Sequence, residues 1–173
     1  MDVFVEVGKF FPAFAVVDAA QQAADLDGGI DRVRILGIDM GRRRVGLAIS
    51  DRTCTLARPL TTLTIAGTSA VDQVVREVER LAAEDDGLQA VVVGVPLRLD
   101  GSRSGETAAV ASFITKLRER ITIPVFEEDE RLTSREAESR LAQRERDWRK
   151  RKAQLDAAAA AIILQDFLDR RAG

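Results

Sequence analysis

Histidine is absent from this 173-residue chain, and cysteine and tryptophan occur once each. Without histidine there is no Ser-His-Asp triad, no imidazole general base and no histidine-ligated zinc. Any catalysis has to rest on carboxylates, lysine, arginine or hydroxyls. The lone Cys54 cannot close an internal disulfide and fits no zinc spacing, so it is expected as a small buried hydrophobe in a reducing setting. No apolar run is long enough to cross a bilayer, which excludes an integral membrane protein. Residues 10–17, FFPAFAVV, have the apolar character of a signal-peptide core, but Asp2 and Glu6 precede them and Asp18 follows. That flanking acidity argues against export and for a cytoplasmic location.

What is present is ordinary for a globular chain: 46% hydrophobic and 31% charged residues, with a net charge of −2. The charge is unevenly spread. Residues 131–152 hold nine Arg or Lys against four Asp or Glu, a net +5, so the rest of the chain carries −7. A basic segment on an acidic body points to a polyanion met at one place.

The length suits one domain. Residues 1–30 form no recognisable element and are expected as an arm, ended by Asp27-Gly28-Gly29, ahead of a single domain over 31–173. Strands are predicted over 34–39 and 45–50, joined too tightly for a helical crossover and therefore paired as an antiparallel hairpin. A third strand is predicted over 58–63. Val71, Val74, Val75, Val78 and Leu81 repeat with helical period, so 69–83 is a helix, with Ser69 and Asp72 resembling a capping pair. Residues 88–95 contain VVV and read as a strand covered on both faces. A helix over 106–120, a strand over 123–128, and helices over 134–144 and 155–168 complete the order. This alternation predicts an α/β fold: a mixed five-stranded sheet with helices on both faces.

Asp39 ends the apolar strand ILGI, where an ionised carboxylate has to be hydrogen-bonded, paired or bound to metal. Metal ligation and a turn-capping role are both open for it; Asp51, at the next strand end, reads as a turn residue. Glu127, Glu128, Asp129 and Glu130 follow Phe126 as four consecutive acids. Such a run is either a solvated strand end or a cluster needing a cation, and carboxylates without nitrogen or sulfur ligands suit magnesium or manganese. Asp156 falls in the first turn of the expected last helix, where the helix dipole alone can account for an acid. The spacing Gly37, Gly41, Gly46 is not a dinucleotide fingerprint, because a strand follows where a helix is required.

Four segments, GIDMGRRRVGLAISD, VVVGVPLRLDGSRSGETAAVASFITKL, EEDERLTSREAE and QLDAAAAAIILQDFL, resemble the blocks of the YqgF (RuvX) family of Holliday-junction resolvases and pre-16S ribosomal RNA nucleases. They run from about residue 34 to 169. The resemblance implies an RNase H-like fold and a carboxylate site for Mg2+ or Mn2+ that hydrolyses phosphodiesters. Carried over by position, the metal and catalytic aspartates fall on Asp39, Asp129 and Asp156, with Glu130 sharing the catalytic block. Arg42, Arg43, Arg44, Arg131, Arg149, Lys150, Arg151 and Lys152 are then expected to hold phosphates of the nucleic acid, either pre-rRNA or branched DNA. Trp148 has two open roles, stacking on a base or packing on the last helix. Two positions depart from the family pattern: Met40 stands where an aromatic is common, and Arg42 where a small or hydroxyl residue is. The sequence leaves open a monomer or homodimer, a non-catalytic nucleic-acid-binding module, and half of an actin-like ATPase, whose first phosphate loop also carries D-x-G before a basic turn.

Overall fold

The computed structural model describes residues 33–65, 69–96, 105–129 and 148–173, the side chains of 148–153 excepted. The expected arm over 1–30 and helix over 134–144 lie outside the described residues. Strands β1 (Arg34–Met40), β2 (Arg44–Ser50) and β3 (Ala57–Thr64) are followed by helix α1 (Ala70–Ala82), β4 (Leu88–Val95), α2 (Gly105–Arg118), β5 (Val125–Asp129) and α3 (Trp148–Ala172). The five strands form one sheet in the order β3-β2-β1-β4-β5. β1 pairs antiparallel with β2 and parallel with β4, while β2–β3 is antiparallel and β4–β5 parallel. This is the mixed five-stranded α/β sheet that the strand order implies, and it agrees with the RNase H-like fold that the family resemblance implies.

Each strand of the sheet centre is apolar throughout because both faces are covered. On one side Leu36, Ile38, Leu47, Val91 and Val93 pack under α1 and α2, which bury Val74, Val78, Leu81, Val110, Phe113 and Leu117. On the other, Ile35, Ala48, Ala90, Val92 and Phe126 meet Ala160, Ile163, Leu164 and Leu168 of α3. Alternate residues of one strand therefore belong to different cores, as the two-residue strand period demands.

The α3 side is built for close approach. A Cβ on Gly37 would lie 2.7 Å from Leu164 Cβ and 2.9 Å from the Ala160 carbonyl oxygen. A Cβ on Gly46 would lie 1.9 Å from the carbonyl oxygen of Asp156. The helix answers with Ala157, Ala158 and Ala160, all buried. Gly37 and Gly46, two of the three glycines that fit no dinucleotide motif, are the floor on which α3 lies.

Several expectations need correcting. α3 begins at Trp148, seven residues before the expected start, and Asp156 is its ninth residue. The dipole effect fades beyond the first turn, so it does not account for an acid at that position. Ser69 precedes α1 but makes no side-chain cap bond. Asp72 instead pairs with Arg120 at 2.8 Å, joining α1 to the end of α2. Cys54 is only half-buried, at φ 52°, with its Sγ donating to the Val33 carbonyl at 3.3 Å. Asp51 is the turn residue it was expected to be: its Oδ1 accepts from the backbone N–H of Thr55 at 2.8 Å and of Leu56 at 3.1 Å.

Candidate functional site

Asp39 is the sixth residue of β1, half-buried, and on the same side of the strand as Ile35 and Gly37, which face α3. Its registered partner across the hairpin is Gly46. Because a Cβ at Gly46 would run into the Asp156 carbonyl, the backbone of Asp156 rests on the residue directly opposite Asp39. Facing positions in an antiparallel pair lie about 5 Å apart, so the two aspartates share one corner of the sheet. The sequence separates them by more than a hundred positions; the glycine brings them together.

Arg44 stands two residues before Gly46 on the same face of β2. Its Nε donates to Asp156 Oδ2, and the two side chains are only 25% and 27% exposed. The other arginines of the turn behave differently. Arg42, 85% exposed, reaches Glu106 of α2 at 3.3 Å, and Arg43 is exposed. The turn itself is held by the Gly41 N–H donating to the Arg44 carbonyl at 2.9 Å.

Beside this corner lies a cleft of about 230 Å³ lined by Asp39, Met40, Gly41, Arg42, Pro96, Glu106, Ala109 and Val110. It opens where β1 and β4 end and α2 begins, the edge of an α/β sheet at which ligands bind. Glu106 is a member of this cleft that the sequence reading did not single out. Its signal was available: it is the acid of the first turn of the helix that follows β4.

The acidic run on β5 divides by strand alternation. Val125 belongs to the α1/α2 core and Phe126 to the α3 core, where its ring lies 5.5 Å from Phe167. Asp129 has the parity of Val125 and pairs with Val95, so within the strand it is directed to the face opposite Asp39. Glu128 has the parity of Phe126 and is the acid turned toward α3. It is 5% exposed and ion-paired with Arg170. Since Ile38 pairs with Val93 and Val93 with Glu127, Glu128 is level with Asp39, two strand spacings or about 9.6 Å away. Its charge is met by the end of α3.

The expected triad of Asp39, Asp129 and Asp156 is thus described as a pair plus an aspartate of opposite parity. Among the described residues no three His, Cys, Asp or Glu side chains gather as a metal site. Glu130 and Arg131 lie outside the described residues; Arg149, Lys150, Arg151 and Lys152 have helical backbone in α3 but, like Trp148, undescribed side chains. The pair is nonetheless a fit donor set for Mg2+ or Mn2+. Magnesium takes one or two protein carboxylates and completes its shell with water and substrate phosphate. That the Asp156 carboxylate already bears the guanidinium of Arg44 shows that this corner accommodates positive charge.

No helix among the described residues is long and apolar enough to cross a membrane. Residues 33–170 match the family described as "RuvX: Holliday junction resolvase". A relative from Anaeromyxobacter sp. (strain K) is 43% identical over 141 residues, covering 81% of this chain and 99% of its own. Another, from Chloroflexus aggregans (strain MD-66 / DSM 9485), is 42% identical over 137 residues, covering 79% and 94%. Both carry the name "Putative pre-16S rRNA nuclease". A solved structure, T. thermophilus RuvC in complex with Holliday junction substrate, overlaps 82% of this chain and 96% of its own with a TM-score of 0.47 at 18% identity, too loosely to position any residue. With the family match spanning residues 33–170 and relatives above 40% identity aligned over nearly their whole length, the chain belongs to the RuvX Holliday junction resolvase family.

Proposed function

We propose that this protein is a cytoplasmic, divalent-metal-dependent endonuclease that hydrolyses phosphodiester bonds at the 5′ end of pre-16S ribosomal RNA. The observation that carries the reading is the seating of Asp156 on Gly46, opposite Asp39. It brings two hard oxygen donors to one sheet edge beside an open cleft. Relatives above 40% identity that carry a pre-16S rRNA nuclease name support the choice of substrate.

Bound Mg2+ or Mn2+ supplies electrophilic charge to the scissile phosphate and activates water. Asp39 and Asp156 hold it and set its position. Arg42 and Arg43, exposed on the β1–β2 turn, bind the phosphates on either side of the scissile one; they position the strand and read no sequence. Asp129 ends β5, and Glu130 and Arg131 follow it in the sequence; the three are proposed as further acid and base for the same reaction. The basic run at 149–152 is proposed to bind further phosphates. No side chain here needs to titrate near neutrality, in keeping with the absence of histidine.

Incubating the protein with end-labelled pre-16S rRNA and with a four-way DNA junction, in magnesium and in EDTA, tests the proposal. Magnesium-dependent cleavage of the RNA that is lost in Asp39→Asn supports it. Cleavage of the junction alone moves the substrate to branched DNA, the activity in the family's description. Binding without cleavage under any metal would make the domain a non-catalytic binding module.

A further inference from the structure

We propose that Arg44 is a built-in counter-ion of Asp156 that competes with the divalent cation, so that metal loading releases a guanidinium to the substrate's phosphate. This rests on the reading above that Asp156 is a metal ligand. Of three consecutive arginines in one turn, two are exposed, whereas Arg44 is one-quarter exposed and bonded through Nε to Asp156 Oδ2. It is carried by a rigid element: its backbone pairs with Thr64 of β3, and its carbonyl closes the hairpin by accepting from Gly41. The side chain can therefore swing while its root stays fixed beside the pair.

The competition follows from the chemistry of the shared oxygen. A charge-assisted bond occupies lone-pair directions on Oδ2. A cation held by the same carboxylate draws on the same negative charge and repels the guanidinium. Arg44 thus lowers metal affinity in the empty enzyme. A phosphate drawn to the same corner is a replacement partner within reach of the displaced side chain. Metal and nucleic acid then favour each other's binding, and the coupling has to be equal in both directions. A metal-free site whose negative charge is reduced in this way binds its cation best when the polymer is present.

Two measurements on the full-length protein test this. In the first, Mn2+ binding without nucleic acid is followed by electron paramagnetic resonance. Arg44→Gln is expected to bind about two- to fivefold more tightly than the unaltered protein, the range of an ion pair of this exposure. Arg44→Lys, which keeps the charge, stays close to the unaltered value. In the second, the Arg44 Nε–H resonance of 15N-labelled protein, assigned by its loss in Arg44→Lys, is followed through a magnesium titration. It is expected to leave its hydrogen-bonded position as the metal saturates, and this readout stands even where Arg44→Gln does not fold. Equal or weaker Mn2+ binding by Arg44→Gln, or a resonance unmoved at saturation, overturns the competition alone. If the unaltered protein binds no Mn2+, or Asp156→Asn binds it equally well, the metal reading of Asp156 falls, and this inference with it.

Discussion

Replacing Gly46 with alanine adds one methyl group where the sheet and α3 are closest. That Cβ would lie 1.9 Å from the Asp156 carbonyl oxygen, 2.3 Å from its carbonyl carbon and 3.0 Å from Ala157 N. Ordinary contact begins at 3.4 Å, so the strand and the helix must part by roughly 1.5 Å. All three obstructing atoms are helix backbone and cannot rotate away. Gly87 is the described glycine with positive φ, so alanine at 46 meets no backbone strain. Without the clash, Gly→Ala at such a position would stabilise by about 0.4–1 kcal/mol through the unfolded chain. Overpacking of this kind costs about 1–3 kcal/mol, and a chain of this length loses about 2–4 °C of Tm per kcal/mol. The larger effect is on chemistry, because a displacement near 1 Å at a reacting group can cost about a hundredfold. Thermal melts by circular dichroism and cleavage of labelled pre-16S rRNA measure both, with Gly37→Ala as the control. There the Cβ meets Leu164 Cβ at 2.7 Å, a similar insult two residues, or about 6.6 Å, further down β1 from Asp39. A Gly46→Ala protein with unchanged or raised Tm and full activity would refute the idea that this glycine seats Asp156.

Asp39→Asn and Asp156→Asn are each expected to lower cleavage about a thousandfold or more, the several kcal/mol that metal charge stabilisation supplies, while the melts of both stay within a few degrees of the unaltered protein. Asp51→Ala probes a structural carboxylate. Burial raises its pKa, but the Thr53 hydroxyl and the N–H groups of Leu56 and Thr55 more than offset this and hold it below 3.8. A depressed carboxylate contributes stability above its unfolded pKa and loses it as pH falls through the folded value. The Tm gap between Asp51→Ala and the unaltered protein should therefore be full at pH 7 and close below about pH 3.8, the ordinary value for this group; a gap independent of pH would contradict it. Arg170→Ala strips the partner from Glu128, 5% exposed, and should cost about 1–3 kcal/mol in urea unfolding. Adding Glu128→Gln to that variant should restore part of the loss, and strict additivity of the two changes would show that the pair is not coupled.

The strands and the first two helices were legible because each carries its own period. Alternation or an unbroken apolar run gives a strand, and Val71, Val74, Val75, Val78 and Leu81 give a helix face. Boundaries set by long-range partners were less legible. The start of α3 at Trp148 follows a basic, polar stretch with no apolar stripe to announce it. Asp72 looked like half of a capping pair because Ser69 is near in sequence; its actual partner, Arg120, is 48 positions away.

The site was legible as residue types and not as geometry. In the run Glu127–Glu130 every residue is an acid, so composition offers nothing by which to rank them. What distinguishes Glu128 from Asp129 is parity, and parity is set by Phe126 packing against Phe167 of α3, a contact between segments 41 positions apart in the chain. Asp156 presents the same difficulty in reverse. Read locally, an aspartate beginning an alanine-rich helix is explained by the dipole. Once the helix is known to begin two turns earlier, that explanation lapses, and the residue's position follows from a glycine on another strand. Gly46 carries no chemistry and matches no binding motif, yet it decides how closely the α3 backbone can approach β2 and therefore where Asp156 sits relative to Asp39. The corner proposed as catalytic is thus specified as much by the missing side chain at 46 as by the two aspartates whose backbones it places side by side.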